Sequence, residues 1–286
     1  MNQDDGFIAA SGKSHHVDLT AGRFHYVRWA RDADAPRALL VHGNGGSWTT
    51  WSRVGPALNA AGMDVIAVDL RGNGSSVKPP AGSYGLHEVA GDLHDLIDVL
   101  RVRAPLLIGH CWGAAAALTL ATGAAGDRVP PVLGGLVLEE LPPDMASTGT
   151  QPVVQDFLWM MRSSREYSEK WVELVCRDWH PIDRESLLED VHRADSDVYL
   201  SAINDGAAAG PLLPLLAQLK VPSLILRGDP QRGGMLNDAD WRLAREYLPS
   251  HCTAHELPGS GHEIHRGDYA EFMRLVLGFR FAAGTS

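Results

Sequence analysis

The chain has 286 residues, 45% of them apolar and 21% charged, which suits a globular protein with a core large enough to do without disulfide or metal staples. Lys and Arg number 25 against 35 Asp and Glu, a net charge of −10, so no cationic surplus is available for phosphates and nucleic acid is not an expected partner. The cysteines, Cys111, Cys176 and Cys252, are scattered in neither a disulfide nor a zinc-ligand spacing, the opening is polar and acidic, and no apolar run reaches the ~18 residues that span a bilayer. A cytoplasmic chain acting on a small molecule, as a monomer or homodimer, away from membranes, is the expectation.

In chain order, His15 to Leu19 and Phe24 to Trp29 flank a Thr-Ala-Gly turn and read as a hairpin. Arg37 to Val41 is a buried strand ending at His42-Gly43, and Asp64 to Asp69 repeats that pattern before Leu70-Arg71-Gly72-Asn73-Gly74. Val89, Leu93, Leu96, Ile97 and Leu100 keep helical spacing. Pro105 to Ile108 is a strand that runs into Gly109-His110-Cys111-Trp112-Gly113 and an Ala-rich helix. Leu133 to Leu138, Val221 to Leu226 and Ala254 to Leu257 are further strands, and Tyr269 to Phe279 is a closing amphipathic helix. Strands alternating with helices imply a mostly parallel central sheet flanked by helices. The exception is 143–219, which reads as consecutive helices and is expected to cap the sheet after strand six. Residues 1–142 and 220–286 would then form one α/β core.

Gly109-x-Cys111-x-Gly113 lies between a strand and a helix. Glycine at both flanks permits a tight turn in which a Cβ would crowd the neighbouring elements. The turn lifts the Cys111 side chain to the sheet edge at a helix N-terminus, where free N–H groups and the helix dipole favour a thiolate. The amide of Trp112 would then face an oxyanion beside the sulfur.

Together with this elbow, His42-Gly43-Asn44-Gly45-Gly46-Ser47, Asp69-Leu70-Arg71-Gly72-Asn73-Gly74-Ser75 and Gly259-Ser260-Gly261-His262 with Ile264-His265-Arg266 resemble, in order, the motifs of the α/β-hydrolase fold. The resemblance covers nearly the whole chain. It implies Cys111 as nucleophile, His262 as base, and the amides of Asn44 and Trp112 as oxyanion donors, with no cofactor and no metal. A cysteine in place of the usual serine is similar to dienelactone hydrolases. It shifts the expected chemistry toward thioesters and activated esters. His110 is expected to point away from Cys111, as a packing or pocket-edge residue.

The acid has two candidates. Leu226-Arg227-Gly228-Asp229-Pro230 puts Asp229 one residue past the glycine, where the family pattern has its acid about three past, and position 231 is Gln. Val137-Leu138-Glu139-Glu140-Leu141-Pro142 resembles the stretch from which lactone hydrolases supply the acid after strand six, which implicates Glu140 or its neighbour Glu139. Gly43, Trp48, Trp159 and Met161 are expected to line an apolar pocket for an organic, activated or carrier-bound acyl group. The reaction expected is cleavage of an ester, lactone or thioester. Elimination, acyl transfer and cyclising thioesterase chemistry are the alternatives at the same site, and a receptor without catalysis fits the intact nucleophile poorly.

Overall fold

The computed structural model describes residues 12–282; the reading of the polar opening falls largely on residues 1–11, which lie outside the described residues, as do 283–286. The strands are β1 (Lys13–Leu19), β2 (Gly22–Trp29), β3 (Arg37–Val41), β4 (Asp64–Val68), β5 (Leu106–His110), β6 (Gly135–Glu139), β7 (Ser223–Gly228) and β8 (Thr253–Leu257). They form one eight-stranded sheet in the order β1-β2-β4-β3-β5-β6-β7-β8. β1 and β2 pair antiparallel across the expected hairpin and β2 pairs antiparallel with β4, while β3 to β8 run parallel.

The central strands are apolar throughout because both faces are covered. Leu39 and Val41 of β3 enter the core under α2 (Leu86–Val99) and α3 (Trp112–Thr122). Ala38 and Leu40 enter the opposite core, under α1 (Val54–Ala60) and α11 (Tyr269–Gly278). Ala114 to Ala117 of α3 are fully buried, so the small side chains let this helix lie close against both the sheet and α2. The direction in which strands are added reverses around β3, with β4 on one side and β5 on the other. That switch point brings the loops after β3 and β5 together at the carboxyl edge, where open α/β sheets bind ligands.

Between β6 and β7 stand α4 (Met145–Thr148), α5 (Pro152–Arg162), α6 (Arg165–Val175), α7 (Pro181–Arg193) and α8 (Ser196–Gly206). α7 is bolted to the core. Arg53 pairs with Asp183 at 2.5 Å, and Asp190 accepts hydrogen bonds from the hydroxyls of Ser47 (2.6 Å), Thr49 (2.7 Å) and Thr50 (3.2 Å). The remaining helices are α9 (Asp238–Tyr247) and α10 (Ile264–Gly267).

Candidate active site

Cys111 sits between β5 and α3 with φ +50° and ψ −111°, in the left-handed region that non-glycine residues rarely adopt. Such a conformation costs on the order of 1–3 kcal/mol and survives only where its surroundings enforce it. Here the Cys111 amide donates to the Glu139 carbonyl at 2.9 Å, and the turn is squeezed from both sides. A Cβ on Gly109 would lie 2.5 Å from the Gly113 carbonyl oxygen, and one on Gly113 would lie 2.6 Å from the His42 carbonyl oxygen.

The loop after β3 is held in place by His42. Its Nδ1 donates to the Gly43 carbonyl at 2.6 Å and its Nε2 accepts from the Leu70 amide at 2.9 Å. Full burial lowers the pKa of His42 and keeps it neutral, as these two roles require. Asn73 accepts from the Gly45 amide at 3.2 Å, so two of the sequence motifs are bonded to each other. Gly45 has φ +79°, and a Cβ there would meet Met161 and Phe157 of α5 at 2.7 Å. Among the described residues neither the Asn44 nor the Trp112 amide is matched with an acceptor, and both residues line the cavity above Cys111.

His262 lines the same cavity as Cys111 and is bonded through Nδ1 to Glu140 Oε2 at 3.1 Å. Burial pushes the His262 pKa down, but the charge of Cys111 and the Glu140 carboxylate outweigh this and hold it well above the ordinary value. Glu140 is completely buried, at φ +54°, one residue past β6. It also accepts from the Gly228 amide at 2.5 Å and the Met235 amide at 2.6 Å.

Of the two candidate acids, the structure therefore brings Glu140 and not Asp229 to His262. Asp229 is half-exposed and its Oδ1 accepts from the Gln231 amide at 2.8 Å, capping the turn Pro230–Arg232. Proline directly after Asp229 sets this turn off at once. The loop beyond β7 then presents amides to the Glu140 carboxylate in place of a carboxylate to His262.

The cavity over Cys111 has an apolar side, from Met145, Val153, Val154, Phe157 and Ile203, and a polar floor with Thr50, His110, Asp190, Glu263 and Arg266. The space open to a water molecule's centre is about 50 Å³. Gly43 lines it as expected, but Trp48, Trp159 and Met161 do not. Trp159 is 46% exposed on the outer face of α5. Trp48 packs on Trp29, with ring centroids 6.4 Å apart, in the core of the α1 side. Met161 backs Gly45 from behind. Helical spacing locates a shared face but not the neighbour that face meets.

His110 packs its ring 4.6 Å from that of His262, and its Nε2 donates to the His262 carbonyl at 3.1 Å. A second carboxylate–imidazole pair lies beside the first. Glu139, fully buried, accepts from Nδ1 of His265 at 2.9 Å and from the His265 amide at 2.9 Å. The signal for it was present as adjacent glutamates at the end of β6 and histidines spaced three apart. Arg266, buried over Trp179, joins Glu263 (3.2 Å) and Asp190 (3.3 Å).

A family model described as the alpha/beta hydrolase family matches residues 38–275. Over 107 residues the chain is 36% identical to epoxide hydrolase B of Mycobacterium tuberculosis, covering 35% of this chain and 30% of that protein. Over 103 residues it is 40% identical to epoxide hydrolase 2 of Siraitia grosvenorii, covering 36% and 32%. The match thus spans about a third of the length of these curated relatives. The enol-lactonase of Burkholderia xenovorans LB400 superposes with a TM-score of 0.72 at 19% identity, over 92% of this chain and 98% of that one, a likeness of fold.

Proposed function

This chain belongs to the alpha/beta hydrolase family, and we propose that within it the protein is a cysteine-dependent hydrolase of esters, lactones or thioesters of apolar small molecules. The observation that carries the reading is the Cys111–His262–Glu140 chain, with the sulfur at a helix N-terminus beneath two free amides. The raised pKa of His262 favours the imidazolium–thiolate pair. The thiolate attacks the acyl carbon, and the carbonyl electron pair moves to oxygen, where the amides of Asn44 and Trp112 receive it. As the pair returns, the bond to the leaving group breaks, and the leaving alkoxide or thiolate takes the proton from His262. A water then gives a proton to His262 and attacks the thioester. Cys111 leaves as thiolate, the carboxylic acid departs, and the imidazolium is restored. Glu140 holds Nδ1–H so that Nε2 faces the sulfur.

An apolar wall on the α5 and α8 side supports an apolar acyl group, and the small volume of the cavity suits a small one. Turnover of aryl thioesters in heavy-oxygen water tests the reading. One labelled oxygen in the acid product, together with an acyl adduct on Cys111 in rapid-quench mass spectrometry, is expected. Full turnover by Cys111→Ala would refute the covalent route, and product without label would point to elimination or acyl transfer.

A further inference from the structure

The geometry points to a second site on the floor of this cavity, for a divalent cation of the zinc class, with His110, Glu263 and His265 as its ligands. One ring nitrogen from each histidine and one carboxylate oxygen lie within 4.8 Å of one another. His265 Nε2 stands 3.4 Å from Glu263 Oε2. Ligand atoms around a tetrahedral zinc ion, with bonds near ~2.1 Å, are roughly 3.4 Å apart. Both atoms are buried without a hydrogen-bond partner, and His265 is 1% exposed. A buried imidazole nitrogen without a hydrogen-bond partner is costly, and a cation held between it and the Glu263 oxygen would satisfy it.

The outer shell is already assembled. His265 gives Nδ1 to Glu139 at 2.9 Å, and His110 gives Nε2 to the His262 carbonyl at 3.1 Å. Metal-bound imidazoles are typically oriented as His265 is, by a carboxylate on the far nitrogen. Charge points the same way. Three buried carboxylates, Glu139, Glu140 and Asp190, and the partly buried Glu263 share one permanent cation, Arg266. A proton exchanged between Cys111 and His262 leaves that balance unchanged. With the carboxylates ionised and His265 neutral, as a ligand must be, three negative charges lack a partner, and a dication offsets two of them. Arg266 Nη1 stands 3.2 Å from Glu263 Oε2 as an ion pair without hydrogen-bond geometry and would remain as an outer-shell cation. Two nitrogens and one oxygen form a donor set suited to zinc, cobalt or iron more than to calcium or magnesium.

The test uses the full-length protein, stripped with a chelator and titrated with Co²⁺, read by its visible d–d absorption and by calorimetry. It is run in the Cys111→Ala background, so that a Cys111–His262 site cannot contribute. One equivalent of Co²⁺ without a sulfur charge-transfer band is expected. Adding Glu263→Gln or His265→Asn should weaken binding at least tenfold, and Glu139→Gln, which removes the outer-shell partner of His265, by about 10–100-fold. Far-UV circular dichroism establishes which variants are folded, and each folded one is scored. The absence of stoichiometric binding in Cys111→Ala would overturn the proposal. Unchanged affinity in the folded variants would overturn it as well.

Discussion

Replacing Glu140 by Gln isolates the acid of the proposed triad. Its two oxygens accept from three donors: Gly228 N at 2.5 Å, Met235 N at 2.6 Å and His262 Nδ1 at 3.1 Å. A glutamine keeps one acceptor and adds an NH2 that can only donate. If the NH2 takes the place of Oε1, the Gly228 amide is left facing a donor. If it takes the place of Oε2, both Met235 N–H and His262 Nδ1–H are. Each unpaired buried donor costs about 1–3 kcal/mol, so the fold loses at least that much. In the second orientation the imidazole can relieve the clash by moving its proton to Nε2, which faces Cys111 with the wrong tautomer. Loss of the corresponding carboxylate in a serine protease costs ~10⁴ in kcat. Here kcat/KM on an aryl thioester should fall by about 10²–10⁴, or ~2.7–5.5 kcal/mol. Asp229→Asn keeps the turn cap, since Asn caps as well as Asp, and should stay within about threefold of wild type. Thermal unfolding in the same buffer separates loss of fold from loss of chemistry. A hundredfold loss in Asp229→Asn beside an active Glu140→Gln would refute the assignment.

The charged His262–Glu140 contact carries a pH signature. A raised folded-state pKa means that its stabilisation is fully present below the unfolded value of about 6.5 and is lost as pH rises through the folded value. The urea-midpoint gap between wild type and Glu140→Gln should be widest below about pH 6.5 and narrow on the alkaline side; a gap that widens with pH would contradict this. In Cys111→Ala, where the charge that most raises the His262 pKa is gone, its ring resonances should titrate at lower pH than in wild type by NMR. Gly113→Ala drives a Cβ into the carbonyl oxygens of Val41 and His42, backbone in the middle of the sheet, and should destabilise by about 1–3 kcal/mol or more in urea. Near-wild-type stability would show that the turn can relax. Arg266→Leu leaves Asp190, 3% exposed, without its cation, which should cost about 3–5 kcal/mol by denaturant unfolding; a loss below 1 kcal/mol would mean the hydroxyls of Ser47, Thr49 and Thr50 suffice.

Strand positions were readable because a strand buried on both faces has to be continuously apolar, as Leu39 to Val41 and Leu106 to Ile108 are. The elbow was readable because α3 lies so close to β5 at residue 109 and to β3 at residue 113 that only hydrogen fits at either. The contacts of the cap aromatics were not. The spacing of Phe157 and Trp159 places both on α5, but whether each meets Tyr199 or solvent depends on how α5 lies across α8. Phe157 stacks on Tyr199 with ring centroids 5.7 Å apart, while Trp159 is exposed.

The sequence by itself determined the order of strands and helices, the turn that exposes Cys111 and the loop that carries His262, because each is a local pattern of volume, polarity and backbone freedom. Only the tertiary structure decided which carboxylate reaches His262. Both candidate acids follow parallel strands that are neighbours in the sheet, and local sequence is compatible with either. The choice came from the end of β7 and the loop after it, which turn the amides of Gly228 and Met235 toward Glu140 and spend Asp229 on its own turn. His110 likewise lies far in the chain from Glu263 and His265, and it is the packing of β5 against the start of α10 that sets their polar atoms within 4.8 Å.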